Sequence, residues 1–147
     1  MIQIEQVTQV TDELMDALKR LVPQLSATNP APTVAEVTQI VTSPATVLLV
    51  ARDMDSGHRA IVGALTLALF RIPTAMRAWI EDVVVNTESR GQGIGEALVR
   101  EALEVARQAG AKTVDLTSRP SREAANRLYV RVGFEKRETN IYRFKIE

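Results

Sequence analysis

The stretch that decides the fold of this chain is Val83-Val84-Val85-Asn86-Thr87-Glu88-Ser89-Arg90-Gly91-Gln92-Gly93-Ile94-Gly95. The three valines predict a strand, and the alternating glycines that follow predict a tight turn that opens a helix. Glycine lets the backbone bend so that successive N–H groups point the same way, and the helix adds the positive end of its dipole. We therefore expect residues 90–95, the glycine turn, to bind an anion such as a pyrophosphate.

The periodicity of apolar residues around this turn predicts the order β-α-α-β-β-β-α-β-α-β-β. The second helix is expected to start at a capping box formed by Thr33 and Glu36. The last two strands are predicted at Phe134 and over residues 142–146. This order implies an α/β (α+β) fold, a mixed sheet with helices packed on its faces, and the length of 147 residues predicts one domain over residues 1–147.

The composition excludes several classes of function. Lys plus Arg and Asp plus Glu number 18 each, so no overall positive field draws the protein to nucleic acid or to an anionic membrane. The chain has no cysteine, which removes disulfides and thiolate nucleophiles. Its single histidine, His58, lies in a predicted hairpin turn, and no group of metal ligands is visible. No signal peptide or membrane span is apparent, so we expect a cytoplasmic protein.

Two common phosphate-binding motifs do not match the glycine turn. A Walker loop needs lysine and then Ser or Thr after its last glycine, whereas Gly95 is followed by Glu96 and Ala97. A dinucleotide fingerprint is G-x-G-x-x-G after the first strand of a βαβ unit, and here G-x-G-x-G follows the fourth predicted strand. Binding of nucleoside triphosphates or dinucleotides is therefore not expected.

The pattern Arg90-x-x-Gly93-x-Gly95, between a strand and an amphipathic helix, resembles the coenzyme A loop of the GNAT family of N-acetyltransferases. Downstream, Ala125-Asn126-Arg127-Leu128-Tyr129-Val130-Arg131-Val132-Gly133-Phe134 is similar to the family pattern A-x-x-L-Y-x-x-x-G-F. The resemblance implies a GNAT fold, with a mostly antiparallel sheet of six to seven strands and about four helices. It also implies acetyl-CoA as co-substrate without a metal, transfer of the acetyl group to a primary amine in a ternary complex, and a homodimer.

The resemblance also implies which residues hold the coenzyme. The N–H groups of residues 92–96 are expected to bind the pyrophosphate, and the backbone of the valine strand to bind the pantetheine amides. The expected coenzyme-binding residues are Val83, Val84, Val85, Arg90, Gly91, Gln92, Gly93, Ile94, Gly95, Glu96, Asn126 and Tyr129. Core packing for Tyr129 and a plain helix-surface position for Asn126 are the alternative interpretations.

Catalysis needs an acid for the departing thiolate and a base for the amine. Tyr129 aligns with the tyrosine that acts as general acid in the family, and a phenol is protonated at neutral pH. Glu81 is the expected base, with Asp82 contacting the substrate ammonium, because carboxylates rarely occupy such an apolar strand without a partner. Alternation is expected to put Glu81 on the face of Val83 and Val85; structural salt bridges are the alternative.

The acceptor is left more open. Ile80-Glu81-Asp82-Val83-Val84-Val85 resembles the corresponding strand of glucosamine 6-phosphate N-acetyltransferases, where these acids lie near the sugar. Ser118, Arg119 and Arg122 are then expected to contact the substrate, the two arginines through its phosphate. For these arginines, solvated loop positions and contacts with a phosphate of coenzyme A are the alternatives. A protein N-terminus, a lysine or another small amine remains an alternative acceptor. A domain that binds acetyl-CoA as a sensor, without turnover, is the non-catalytic alternative.

Overall fold

Five strands form one sheet in the order β1-β2-β3-β4-β5. They are β1 (Ile2–Gln6), β2 (Thr46–Asp53), β3 (Ile61–Ile72), β4 (Ala75–Val85) and β5 (Thr113–Asp115). Neighbouring strands from β1 to β4 are antiparallel, and only β5 runs parallel to its neighbour β4. The computed structural model describes residues 1–147, which divide into two compact units, Met1–Thr117 and Ser118–Glu147. The single domain expected over the chain stays a prediction.

Three helices belong to the first unit: α1 (Asp12–Leu25), α2 (Val34–Thr42) and α3 (Ile94–Gln108). Helix α1 begins where the Thr11 hydroxyl accepts a hydrogen bond from the Leu14 N–H at 3.1 Å. The capping box expected for α2 is confirmed. The Thr33 hydroxyl accepts from the Glu36 N–H at 3.2 Å, and the Glu36 carboxylate accepts from the Thr33 N–H at 2.9 Å. These caps satisfy helix N–H groups that have no partner within the helix.

The core of the first unit lies on both faces of the sheet. On one face, α1 and α2 pack their apolar sides against side chains that include Leu48, Val50, Ala64 and Val84. On the other face, α3 approaches so closely that a Cβ at Gly63 would lie 3.2 Å from Leu98 Cδ1 and 3.3 Å from Ile94 Cγ2. This close approach packs the first turns of α3 directly against the sheet.

The second unit contains α4 (Glu123–Val132) and the chain that follows it. Helix α4 ends at Gly133, whose φ of +123° favours glycine. The rings of Tyr129 and Phe134 meet edge to face with centroids 5.7 Å apart. This contact, together with the Phe134 N–H donating to the Tyr129 carbonyl at 2.9 Å, folds the chain back at the end of α4.

The two closing strands expected near the C-terminus are absent, so the sheet has five strands where six to seven were expected. Residues 134–147 have no regular secondary structure, although Tyr142, Phe144 and Ile146 alternate as in a strand. These three side chains are 88%, 86% and 85% exposed. Alternation shows that a segment is able to pair, whereas a strand also needs a neighbouring backbone and a buried face. The mixed α/β class itself is confirmed.

None of the helices is both long and apolar enough to span a membrane. The cytoplasmic location stays a prediction.

Candidate active site

The edge of β4 that faces β5 is open over much of its length. The two strands pair at only three positions, Arg77 with Thr113, Ala78 with Val114 and Trp79 with Asp115. The two strands separate beyond Trp79. Residues 80–85 of β4 therefore have β3 on one side and no strand of the sheet on the other.

The backbone donors on this open edge follow from the register with β3. The Asn86 N–H donates to the Val62 carbonyl at 2.7 Å. Two positions before Asn86 in the ladder, Val84 lies opposite Ala64. The ladder therefore directs the Val84 N–H toward β3. Alternation turns the N–H groups of Val83 and Val85 away from β3, toward the open edge. An extended ligand with amide groups can pair there as an added strand would.

A bulge interrupts β4 at Asp82, whose φ of +52° is unusual for a residue other than glycine. The register shifts there, because Val84 lies opposite Ala64 whereas Glu81 lies opposite Thr66. Opposed residues share a face of the sheet, and Ala64 and Thr66, two positions apart on β3, also point to one face. Glu81 therefore lies on the face of Val84. The prediction that Glu81 shares its face with Val83 and Val85 is wrong, because the bulge adds one residue and inverts the alternation.

Glu81 therefore lies on the face of the sheet that α1 and α2 cover. Its exposed carboxylate accepts a hydrogen bond from the Trp79 indole N–H at 2.8 Å. Asp82 is also exposed and its side chain makes no hydrogen bond or ion pair. Neither carboxylate is held in a salt bridge, so the structural alternative for these two acids has no support. The roles of these two carboxylates toward an acceptor amine stay a prediction.

The glycine turn presents a series of backbone donors. Gly91 and Gly93 have φ of +81° and +76°, and Gly93 is the N-cap of α3. The N–H groups of residues 91–95 appear in none of the turn or cap hydrogen bonds, and the first N–H groups of a helix have no partner within it. Gly91, Gln92 and Gly93 are exposed, and so is Arg90, whose side chain forms no hydrogen bond. This arrangement fits a pyrophosphate.

Glu96 follows in the first turn of α3 and forms an ion pair with Arg100 at 3.0 Å. The guanidinium offsets the negative charge of this carboxylate at the start of α3.

The second expected motif lies on α4. Tyr129 is buried, with 8% of its surface exposed. Burial raises the pKa of Tyr129, and the positive charge of Arg122 opposes this effect in part. The phenol is therefore held in its protonated form, as a proton donor requires.

The loop before α4 carries the other expected residues. The Asn126 side-chain amide donates to the Arg119 carbonyl at 3.0 Å, which ties the first turn of α4 to the loop. The Arg122 N–H donates to the same carbonyl at 3.0 Å. The side chains of Arg119 and Arg122 are exposed, and the Ser118 hydroxyl is buried without a hydrogen-bond partner. Such a hydroxyl is unusual, because buried polar groups are nearly always satisfied.

The valine strand, the glycine turn and the helix that carries Tyr129 lie within a segment that matches a known family. The model of the Acetyltransferase (GNAT) family matches residues 11–134, which is most of the chain. The chain belongs to the GNAT acetyltransferase family. The resemblance drawn from the two motifs is confirmed, and the enzyme class expected, an acetyl-CoA-dependent acyltransferase, is that of the family.

Individual relatives in this family match shorter parts of the chain. Glucosamine 6-phosphate N-acetyltransferase 1 of Oryza sativa subsp. japonica is 33% identical over 95 residues, 64% of this chain and 56% of the relative. Aminoalkylphosphonate N-acetyltransferase of Salmonella typhimurium is 42% identical over 57 residues, 39% of this chain and 37% of the relative. The matches thus span about a third to just over half of these relatives' lengths.

Solved structures agree with the fold. A crystal structure of a Trypanosoma brucei acetyltransferase superposes with a TM-score of 0.78 over 99% of this chain and 100% of that chain, at 24% identity. At this identity the likeness shows the GNAT fold alone.

Two features of this GNAT chain were missed by sequence reasoning. The Trp79 indole binds the Glu81 carboxylate, a contact that the i, i+2 spacing on one strand permits but does not by itself indicate. The side chain of Gln24, near the end of α1, bonds Asn86 and Thr87, which precede the glycine turn. No local sequence pattern predicts the contact of Gln24 with Asn86 and Thr87, because the partners are separated by more than 60 residues.

Proposed function

We propose that the protein transfers the acetyl group of acetyl-CoA to a primary amine by direct attack in a ternary complex. The single observation that carries this proposal is the pair formed by the open edge of β4 and the unpaired N–H groups of the glycine turn. An extended chain of amides leading to a pyrophosphate, as in coenzyme A, matches that pair of donor sets.

The residues of this chain would hold the coenzyme mainly through backbone atoms. The donors of Val83 and Val85 suit the amide-bearing arm, and Val84 between them keeps the strand in register with β3. The turn donors suit the pyrophosphate. The remaining contacts proposed are Arg90, Gly91, Gln92, Gly93, Ile94, Gly95, Glu96, Asn126 and Tyr129. When bound, the coenzyme supplies an activated acetyl thioester.

Proton transfer is assigned to two side chains. Glu81, directly or through a water molecule, takes a proton from the acceptor ammonium, so that a neutral nitrogen attacks the thioester carbonyl. The Val83 N–H donates a hydrogen bond to the carbonyl oxygen as its negative charge grows. Tyr129 donates its phenolic proton to the departing thiolate, and the second proton, which the nitrogen loses as the amide forms, restores the phenol. The raised pKa of Tyr129 supports this role, because the phenol stays protonated well above neutral pH.

For the acceptor, we propose an amine that also carries a phosphate or phosphonate, such as glucosamine 6-phosphate. Two of the matched relatives are named for acceptors of this kind, an amino-sugar phosphate and an aminoalkylphosphonate. Arg119 and Arg122 have exposed side chains without an ion pair, and a guanidinium binds such oxyanions well. Ser118 and Asp82 are proposed to contact the same substrate.

A panel of amines tests this function. Release of the coenzyme A thiol, corrected for hydrolysis without amine, is measured with glucosamine 6-phosphate, glucosamine, 2-aminoethylphosphonate, ethanolamine and peptides with free N-termini. Turnover should favour each phosphorylated or phosphonate amine over the amine that lacks this anionic group. Replacing Arg119 and Arg122 together by Gln should raise KM for glucosamine 6-phosphate about tenfold or more, the effect of losing one charge-assisted bond, and leave KM for glucosamine unchanged.

The other outcomes identify the alternatives. Preference for peptide amines would indicate a protein N-terminal or lysine acetyltransferase. Acetylation of small amines with and without a phosphate or phosphonate group alike would indicate another small amine as acceptor. Binding of acetyl-CoA without release of thiol in the presence of any amine would indicate a sensor domain.

We also propose that the protein is a homodimer. The apolar side chains of Tyr142, Phe144 and Ile146 are exposed and alternate as in a strand, which supports pairing with a second copy. Light scattering after gel filtration should give twice the chain mass of 16.2 kDa. Replacing these three residues by Ser should give the monomer mass, and a wild-type chain that elutes as a monomer at micromolar concentration would contradict the proposal.

A further inference from the structure

The side-chain amide of Gln24, in the last turn of α1, is fully occupied by hydrogen bonds. Its Nε2 donates to the Arg20 carbonyl at 3.0 Å and to Asn86 Oδ1 at 3.2 Å. Its Oε1 accepts from the Thr87 N–H at 2.8 Å and from the Thr87 hydroxyl at 2.9 Å. A carboxamide has two N–H donors and two acceptor lone pairs, so all of its bonding capacity is used.

Three of the four bonds go to Asn86 and Thr87, the first two of the four residues that connect β4 to the glycine turn. Asn86 is the first residue after β4, and its N–H donates to the Val62 carbonyl at 2.7 Å. Thr87 begins the single turn of 3-10 helix that leads to Arg90. Gln24 therefore fixes the point at which the chain leaves the sheet to form the glycine turn.

Beyond that point the glycine turn itself has little support. A Cβ built at Gly91 or Gly93 would meet no atom within 4 Å, and both residues have positive φ. The turn is next anchored at Ile94, which is buried under the sheet at the start of α3. Between these anchors, the direction of the turn donors depends on how firmly each end is held.

We propose that Gln24 is a positioning residue for coenzyme binding. It holds Asn86 and Thr87, just before the glycine turn, so that the N–H groups of the turn converge on the pyrophosphate. This proposal rests on the proposed function only in taking coenzyme A as the ligand. A second interpretation is that Gln24 merely stabilises α1 and the packing of α1 against the sheet. The bond to the Arg20 carbonyl lies within α1 and supports that second interpretation. The three bonds to Asn86 and Thr87 support the proposal.

The test compares Gln24→Leu with the wild-type chain, because leucine keeps the apolar bulk and removes all four bonds. Kd for coenzyme A is measured by calorimetry, and KM for acetyl-CoA and kcat are measured with a saturating amine. Kd and KM should rise about tenfold, the effect of misplacing one charge-assisted turn donor, while kcat at saturating acetyl-CoA stays within about twofold of wild type. Gln108→Leu is the matched control, since Gln108 bonds only Glu104 on the surface of α3; its Kd should equal that of wild type.

Thr87→Val keeps the proposal testable if Gln24→Leu folds poorly. It removes only the hydroxyl bond to Gln24, so Kd should rise about threefold, a fraction of one hydrogen bond. In the Gln24→Leu background the same change should have no further effect, because its partner is already gone. Full additivity of the two changes would overturn the proposal. So would a fall in melting temperature with an unchanged Kd, which is the signature of a purely structural role.

Binding of coenzyme A to the wild-type chain separates failure of the proposed function from failure of the role of Gln24. A wild-type chain that binds no coenzyme A would contradict the proposed function. A wild-type chain that binds coenzyme A, together with Gln24→Leu binding it equally well, would contradict only the role of Gln24.

Discussion

Replacing Gly93 by alanine separates the two demands on the glycine turn, backbone shape and ligand binding. Gly93 has φ of +76°, and a Cβ there would meet no atom within 4 Å, so the change adds backbone strain and no steric clash. An alanine in this left-handed region destabilises the folded chain by roughly 1–2 kcal/mol. Alanine also lowers the conformational entropy of the unfolded chain, which offsets about 0.4–1 kcal/mol of that loss. The net loss of stability should be about 1 kcal/mol, or a fall in Tm of about 2–4 °C for a chain of this size.

The same strain should disturb ligand binding, because relaxing φ at Gly93 turns the neighbouring N–H groups away from the pyrophosphate. The loss of one charge-assisted bond is worth about 1.5–3 kcal/mol, so Kd for coenzyme A should rise at least about tenfold. Calorimetric titration of the folded protein measures this change.

Gly110→Ala is the matched control. Gly110 also has positive φ, +85°, and free space around a Cβ, but it lies beyond the C-terminal end of α3. It should lose a similar amount of stability and keep the wild-type Kd. Equal affinity of the Gly93 and Gly110 variants for coenzyme A would refute the reasoning that the turn donors bind the pyrophosphate.

Three further predictions concern the reacting groups. Tyr129→Phe should lower kcat, measured by release of the coenzyme A thiol, about a hundredfold, while Kd for acetyl-CoA changes little. The control Tyr142→Phe, at an exposed tyrosine, should match wild type. Equal kcat for both variants would refute the acid role. Glu81→Gln should lower kcat by about a hundredfold or more. Trp79→Phe keeps an aromatic ring and removes the indole N–H bonded to the carboxylate, so it should lower kcat by much less; the reverse order would show that Glu81 is structural. Because burial raises the pKa of Tyr129, the phenol keeps its proton to higher pH, so kcat should not decline on account of this group until above about pH 10. An alkaline decline at lower pH that disappears in Tyr129→Phe would contradict that assignment.

Sequence reasoning predicted well those features that local chemistry determines. The capping box of Thr33 and Glu36, the strand before the glycine turn and the helix after it follow from patterns within a few residues. The family followed from two such patterns in the right order, Arg90 to Gly95 and Ala125 to Phe134. Each of these depends on the residue types alone, and the structure and the family match confirm them.

The features that sequence reasoning missed depend on partners distant in the chain or on a break in a regular repeat. One extra residue at the Asp82 bulge moved Glu81 to the opposite face from the one that strict alternation predicts. The contact of Gln24 with Thr87 joins residues 63 positions apart. The segment around Phe144 alternates like a strand without a partner in the sheet. Periodicity describes a segment, whereas bulges, long-range contacts and strand partners are properties of the folded chain.

The central claim is that the open edge of β4 and the glycine turn together hold coenzyme A through backbone N–H groups. Titrating the isotope-labelled protein with coenzyme A and following the amide signals by ¹H–¹⁵N correlation spectra tests it directly. The claim predicts that the largest shifts, with slowed amide exchange at saturation, occur at Val83, Val85 and residues 91–95. Saturable binding that leaves these amides unshifted and moves signals elsewhere would contradict it.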